Sequence, residues 1–531
     1  MAREDKIWDE HPEATYIHGQ ETRAKILAAL REDSLLVIHP ADRARRNPTE
    51  ETEEEEEEET ERGDRAESRG NMDSVLCDEL LQEIFTRLSP PATAPQSSPP
   101  SPSSTSVPLV SKRWLRLYRE SRTALSLRLA PSAALIPALS DFLSNYPSVS
   151  FLSLVLSSDP SSGAVSDNLL LLLCYHFPRL RSLKFLAGPV SVFSLLSLAR
   201  SCAHMTHLTV SLSRPLLFNW VVRLPSLKEL SVLVSSRDRA EGELQGTGDY
   251  GACESEELEA ELGLESLCLS GLKSCEGIGD GGSYASFGRC LKGLQEVELR
   301  TCRSIVDGVL VKLAENCELL SSLLLYDGGS RDSLLHFISN CRCDLRKLDL
   351  RLPLDLKNDH LFALSLHCRN MSSLWLQSCC LVTGNGLKTF GIAMNSGLQE
   401  LALINCDVVE REPGLLATLG QHLGQLRKLD LSYNEMLPDK ELIAMLASCS
   451  RLIDLRLRGC KGLTDPVILS IHRSCKLLES IDLMHCRGIG EKSVESLVLN
   501  SPRLKKLQVE ESKLSDATKT WASHKFIEVV A

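Results

Sequence analysis

Long apolar runs are missing from this 531-residue sequence. The longest, Leu169 to Leu173 with Cys174 and Tyr175, falls far short of the ~18–20 residues that a membrane-spanning helix needs. No membrane partner is therefore expected. An apolar signal core is missing as well: Asp, Glu, Arg and Lys run through the first 30 residues, which argues against secretion. The expected compartment is the nucleus, the cytoplasm or both. Positive charge is in deficit, with 59 Lys and Arg against 71 Asp and Glu, a net of −12. Residues 1–71 hold 11 of those bases and 21 of those acids, including the run Glu53–Glu59, so residues 72–531 are close to neutral. A neutral body has no basic surface with which to neutralise phosphates, and nucleic acid is not expected as a partner.

Motifs of catalysis are absent too. The sequence contains no GxxxxGK[ST] phosphate loop and no HExxH pair. The patch Gly277–Gly282 neither follows a clear strand nor offers a lysine, and reads as a loop. The 13 histidines are scattered without phase, so no Cys–His nucleophile pair can be drawn from them. No catalytic residue, metal or cofactor is expected.

What is present is a repeat. Apolar residues recur at i, i+3 and i+5 in 14 copies, cleanest at Leu345-Leu348-Leu350, Leu398-Leu401-Leu403, Leu426-Leu429-Leu431, Leu452-Leu455-Leu457 and Leu478-Ile481-Leu483. Other copies start at Val149, Leu180, Met205, Leu227, Leu264, Leu294, Leu320, Met371 and Leu504. From Leu320 the starts are 25, 26, 27, 28, 26, 26 and 26 residues apart, a phase that leucine richness alone does not keep. Positions i+3 and i+5 share one face of a strand because side chains alternate. The remainder of each unit has helical spacing, as in Leu310, Leu313 and Ala314. Asp307, Asp332, Asp359, Asp439 and Asp465 are placed to cap those helices. One strand and one helix cannot bury an apolar face alone, so the units must stack. The expected fold is α/β: a curved solenoid with parallel strands inside and helices outside.

The 19 cysteines fall largely into this register. Cys302, Cys379, Cys406, Cys460 and Cys486 stand eight residues after their repeat's start, with Asn434 in the same slot of its own repeat. Cys202, Cys317, Cys368, Cys449 and Cys475 stand three residues before the next start. Small side chains stacked at a tight turn are a packing device. Cys341-Arg342-Cys343 and Cys379-Cys380 are close pairs, but the paired CxxC spacing of a metal site is missing. Cys77, Cys174, Cys253 and Cys268 lie outside the phase and have no histidine partner.

At Leu452-Ile453-Asp454-Leu455-Arg456-Leu457-Arg458-Gly459-Cys460, followed by Leu463-Thr464-Asp465, the sequence resembles the leucine-rich-repeat family, in its cysteine-containing subclass. The resemblance spans about 145–515, with an acidic stretch at 235–261 that reads as a loop insertion and a tail at 516–531. Strand positions between the core leucines should line the concave face, where solenoids bind partners. They include Lys347, Asp349 and Arg351; Ser373, Trp375 and Gln377; Lys428 and Asp430; Asp454, Arg456 and Arg458; Asp482 and Met484. Lys347, Arg351, Trp375, Lys428, Arg456 and Arg458 are the candidates for contacting a target protein, because Trp and Arg dominate interface energetics. The alternative for the charged positions is that they keep the face soluble and pair across strands.

Residues 72–121 are of another kind. Leu76, Leu80, Leu81, Ile84, Phe85 and Leu88 form an apolar stripe at helix spacing. A Pro/Ser-rich insert follows at 89–108, and Leu109, Val110, Trp114, Leu115 and Leu117 then resume the helical pattern. With Ile84-Phe85 and the Val110…Lys112-Arg113-Trp114 helix, the segment resembles an F-box, with Cys77 where the family has proline. The resemblance implies that Leu76, Leu80, Leu81, Ile84, Phe85, Leu88, Leu109, Val110, Trp114 and Leu117 dock a Skp-family adaptor, and through it a cullin and a RING subunit. It further implies a non-catalytic, substrate-recognition subunit of an SCF-type (Skp–cullin–F-box) ubiquitin ligase. Three other readings stay open: a helical cap on the first repeat, an interaction scaffold without a ubiquitin role, and a receptor that recruits its target only with a small molecule bound. Residues 1–71, apart from a short helix-and-strand pattern ending near Ile38, read as a solvated, disordered acidic extension.

Overall fold

The computed structural model describes residues 36–37, 76–88, 110–129, 135–156, 163–212, 218, 220–234, 263–271, 291–303, 305–352, 356–395 and 397–531. The expectations for the acidic extension apart from 36–37, for the Pro/Ser insert, for Leu109, for the 235–261 insertion and for Gly277–Gly282 lie outside these residues.

Two compact units form, Met1–Gly188 and Pro189–Ala531. The first holds β1 (Leu36–Val37), α1 (Asp78–Leu88), α2 (Lys112–Ser121), β2 (Ala124–Leu129), α3 (Leu135–Leu143), β3 (Phe151–Leu156), α4 (Gly163–His176) and most of β4 (Ser182–Val190). Strands β1 to β4 pair in sequence order and in parallel, with Leu127 opposite Leu154 and Leu154 opposite Phe185. The second unit continues with α5 (Val192–Ser201), β5 (His207–Leu212), β6 (Glu229–Val234), β7 (Ser266–Ser270), β8 (Glu296–Arg300), α6 (Val306–Asn316), β9 (Ser322–Tyr326), α7 (Arg331–Asn340), β10 (Lys347–Arg351), α8 (Asn358–His367), β11 (Ser373–Gln377), α9 (Gly384–Ala393) and β12 (Glu400–Ile404). It ends with α10 (Asp407–Arg411), α11 (Leu415–His422), β13 (Lys428–Asp430), α12 (Asp439–Leu446), β14 (Asp454–Arg456), α13 (Asp465–Ser474), β15 (Ser480–Asp482), α14 (Glu491–Asn500), β16 (Lys506–Gln508), α15 (Asp516–His524) and β17 (Glu528–Val530).

From β5 to β17 every strand is parallel to the next, one repeat per strand. This is an α/β leucine-rich-repeat solenoid. The residues at i, i+3 and i+5 of all 14 copies are buried, none more than 4% exposed. Neighbouring strands sit ~4.8 Å apart, whereas packed helices need ~8–10 Å. The helical side of the second unit therefore spreads and the strands take the inner surface. Where helices come closest, side chains shrink: a Cβ on Gly420 of α11 would lie 2.8 Å from the Met445 carbonyl oxygen in α12. No helix among the described residues is long and apolar enough to cross a membrane.

The ladder runs beyond the boundaries expected from the sequence. Strand β2 adds a repeat before Val149, hidden because Arg122 holds its apolar start position. Residues 516–531, expected as a tail, supply α15 and β17, which pairs Glu528–Val530 with Lys506–Gln508.

Three columns of contacts run along the second unit and join each repeat to the next. The first is backbone. The residue seven past each start, from Thr301 through Asp327, Leu352, Ser378, Asn405, Tyr433 and Gly459 to His485, has a left-handed φ between 49° and 74°. That turn aims its N–H at the next repeat, as in Thr301 to Tyr326 O at 2.7 Å, Leu352 to Gln377 O at 3.0 Å and Tyr433 to Arg458 O at 2.6 Å. For a non-glycine residue the conformation costs about 1 kcal/mol, offset by the hydrogen bond its amide gains to the next repeat. At the last such turn the His485 N–H donates instead to Glu510 Oε1, at 2.6 Å.

The second column is the slot one residue later. Cys302, Cys406, Cys460 and Cys486 donate their thiol protons to the carbonyls of Leu269, Leu376, Leu431 and Leu457 in the preceding repeat, at 3.3, 3.5, 3.1 and 2.9 Å. Asn434 does more: its amide donates to Leu403 O and Leu431 O at 2.8 and 2.7 Å, and its oxygen accepts from Cys406 N at 2.9 Å. Burial keeps the Cys460 and Cys486 thiols protonated by raising their pKa values, whereas a hydrogen bond from Cys379 lowers that of Cys406. Desolvation pushes Cys486 up to about 11, and does the same to the helix-end thiols Cys449 and Cys475, to about 11 and about 12.

The third column corrects the capping expectation. Asp307, Asp439 and Asp465 reach forward to the next repeat's helix rather than capping their own. Asp307 accepts from Ser330 N at 2.7 Å, Asp439 from Thr464 N at 2.8 Å and Asp465 from Gly490 N at 2.8 Å, each acceptor serving the residue just before a helix. Asn358 does the same for Thr383, at 3.0 Å. Asp359 pairs with Arg331. The reason is geometric: these side chains lie in the first turn of their own helix, and their free acceptors face the neighbouring coil.

Asn434→Ala strands the Leu403 carbonyl and the Cys406 amide, while Leu431 O keeps its bond from Cys460, and should cost about 2 kcal/mol; Asn434→Cys, which keeps a donor, should cost less. Urea denaturation of the two variants beside wild type checks the order.

Candidate functional site

In the first unit, α1 and α2 pack on one another around Leu81, Phe85 and Leu117, with Leu76, Trp114 and Tyr118 half-buried against them. The Phe85 ring meets Trp114 at 5.3 Å and Tyr118 at 6.0 Å, both in the tilted or edge-on geometry aromatic pairs favour. Ser111 starts α2 by accepting from Trp114 N at 3.2 Å. Arg113 ties the two helices together through Asp78, 2.8 Å from Nε, and through Leu76 O, 2.8 Å from Nη2.

This packing divides the apolar stripe. Leu81 and Phe85 are one turn apart and face α2. Leu80 and Ile84 lie about 100° round the same helix, and are 53% and 42% exposed. Val110, just before α2, is also exposed. The expectation that the whole stripe meets a partner is thus corrected: Leu81, Phe85 and Leu117 hold the helix pair together, and Leu76 and Trp114 support it. Leu80, Ile84 and Val110 are the apolar side chains on offer to a partner. Leu88 closes α1, and Leu109 lies outside the described residues.

In the second unit, the strand surface presents three rows, two, four and six residues past each start. Opposite charges meet all along it. Arg300 pairs with Glu298 at 2.9 Å, Arg351 with Asp349 at 2.6 Å, and Arg456 with Asp454 at 3.0 Å, each within one strand. Lys428 reaches Glu400 at 2.6 Å and Arg458 reaches Asp482 at 2.9 Å across neighbouring strands. Of the six candidate target contacts, four cations are therefore already paired, and Lys347 is the exposed one without an ion pair among the described residues. The Asp349 carboxylate in turn raises the Arg351 pKa by hydrogen bonding.

Trp375 is half-buried rather than fully exposed. Its neighbour in the same row is Ala402, small enough for an indole to lie across it. The Arg351 guanidinium stands 5.7 Å from the ring and that of Arg456 6.0 Å, within the range of cation–π attraction. Trp375, Glu400, Lys428, Asp430, Asp454 and Arg456 line one shallow recess on this surface. Glu400 and Ala402 were missing from the residues singled out in the sequence, though they occupy the same repeat positions as those that were. Asp430 was legible as a face residue but not as buried. No group of three or more His, Cys, Asp or Glu among the described residues is placed to hold a metal ion.

Comparison with known proteins gives one curated relative of note. F-box/LRR-repeat protein 4 of Bos taurus is 26% identical over 161 residues, 30% of this chain and 26% of that protein. The match thus spans about a quarter of the relative's own length. No family model matches. Among solved structures, the yeast Rad7 and Elc1 complex is 14% identical, with 85% of this chain and 92% of that one covered and a TM-score of 0.41. The internalin InlF of Listeria monocytogenes is 14% identical, covering 67% and 81%, with a TM-score of 0.32. LegL7 of Legionella pneumophila is 16% identical, covering 50% and 90%, with a TM-score of 0.36.

The two faces of α1 should respond differently to truncation. Phe85→Ala is expected to cost about 3 kcal/mol and to release α2, whereas Ile84→Ala should change stability by no more than about 0.5 kcal/mol; amide hydrogen exchange across 76–121 reads both.

Proposed function

We propose that the chain is an F-box/leucine-rich-repeat protein and serves as the substrate-recognition subunit of an SCF-type ubiquitin ligase. One observation carries the reading. Leu80 and Ile84 stand a turn apart on the outer side of a helix whose inner side is already packed. Neither side chain is used by the described fold, and a partner helix could bury both. That partner is a Skp-family adaptor, which brings a cullin and a RING subunit with it. The strand face of the second unit holds the target protein, with Trp375 and its flanking arginines at the centre of the contact.

Function of this kind needs no covalent chemistry from the chain. Holding a target beside a ubiquitin-charged E2 raises the effective concentration of its lysines near the thioester. The charged residues of the strand face serve register and selectivity more than raw affinity, because they are paired at home before the target arrives.

The test is capture of a purified Skp-family adaptor by the full chain and by a Leu80→Asp, Ile84→Asp double variant, with folding followed by circular dichroism. Wild type should bind, and the folded variant should bind at least about 100-fold more weakly, the loss expected from two unburied apolar side chains. If wild type does not bind, the interaction-scaffold reading replaces this one.

A further inference from the structure

Acidic residues stand four positions past the repeat start in four repeats of the second unit: Glu298, Asp349, Asp430 and Asp482. Three of them have a cation. Glu298 and Asp349 are met by an arginine two residues on, Arg300 and Arg351. Asp482 is met by Arg458 from the preceding strand. At Asp430 both sources fail: the residue two on is Ser432, and the residue where Arg458 would stand is Ile404. Asp430 is 8% exposed. Its Oδ1 accepts from Ser432 N at 2.9 Å, and no cation among the described residues lies at ion-pair distance from it. The cations that share its recess, Lys428 and Arg456, are taken by Glu400 and Asp454, and the Arg456 charge reaches Asp430 only from beyond ion-pair distance. Asp454 Oδ1 is itself buried with no hydrogen-bond partner. A carboxylate left this way is costly, and desolvation raises the Asp430 pKa accordingly.

We propose that the recess formed by Asp430, Asp454 and Trp375 on the strand face takes a lysine side chain of the target protein, its ammonium supplying the cation that Asp430 lacks. This rests on the reading of that face as the target-binding surface. Charge decides the class of group, since the lining acids Glu400, Asp430 and Asp454 outnumber Lys428 and Arg456 by one. Size decides for ammonium over guanidinium. The recess is about 10 Å³, room for a single water-sized group. The Trp375 ring gives the lysine stem an apolar and cation-tolerant wall.

The experiment uses the full chain labelled with 5-fluorotryptophan, with the Trp375 resonance assigned by its loss in Trp375→Phe. It is titrated with acetyl-Gly-Gly-Lys-Gly-Gly-amide and with the norleucine and arginine counterparts. The lysine peptide should move the Trp375 resonance saturably, the norleucine peptide should not, and the arginine peptide should bind more weakly. Asp430→Asn keeps the bond to Ser432 and should weaken lysine binding at least tenfold without lowering the thermal midpoint. Ile404→Arg, which gives Asp430 the preceding-strand arginine that Asp482 has in Arg458, should block binding. No saturable shift, equal binding of norleucine or arginine, or unchanged binding in Asp430→Asn would each overturn the proposal. Adaptor capture by the same preparation is read separately. Capture without lysine binding defeats the recess alone, and lysine binding without capture defeats the ligase reading alone.

Discussion

Each repeat is held to the next by hydrogen bonds that a single repeat cannot make for itself. The strand ladder supplies the bulk of them, and the left-handed turn after each strand extends it by one further bond. That turn places a non-glycine residue such as Tyr433 or Leu352 where isolated chains rarely go. It persists because the amide it redirects gains a carbonyl partner in the next repeat. The cysteine or asparagine that follows then lies inside the coil, where a weak thiol donor suffices to satisfy a carbonyl left open by the ladder. Helix spacing, the inner placement of the strands and the regular rows of the strand face all follow from keeping these columns in step.

Because the rows are regular, charge on the strand face can be read as a pattern and its interruption noticed. Arginine and carboxylate pairs neutralise most of the surface, so its character is set by the exceptions. These are Trp375, which lies beside the small Ala402, and Asp430, where serine and isoleucine replace the arginines found elsewhere. A self-paired face is soluble without a partner, and a partner must compete with the pairs already there. That favours discrimination by shape and by the few unmatched groups over indiscriminate electrostatic attraction.

The helix pair of the first unit works by division of one apolar stripe. Phe85 and Leu81 consolidate the pair through Leu117 and the aromatic rings of α2, and Arg113 fixes the angle of approach through Asp78. Leu80 and Ile84 are thereby held in place rather than buried. An α1 lacking its inner contacts would present the same outer residues on a helix too short to persist in water.

Periodicity within one chain segment was enough to determine the repeat, its phase, the buried positions at i, i+3 and i+5, and the register of the thiols. Those properties depend on the alternation of a strand and the pitch of a helix, which are local. Strand β2 escaped because Arg122 breaks the apolar pattern at its start position, and β17 because Phe526-Val529-Ala531 carries only a small alanine at i+5, while pairing with a completed neighbour is enough to hold them. Which side of α1 faces α2, whether Asp307 caps its own helix or the next one, and which face charges find partners depend on contacts between different elements or repeats. A difference of one position, about 100° on a helix, separates Ile84 from Phe85, and residues 404, 430 and 432 become neighbours only when the strands stack. Such contacts are made by the tertiary structure alone.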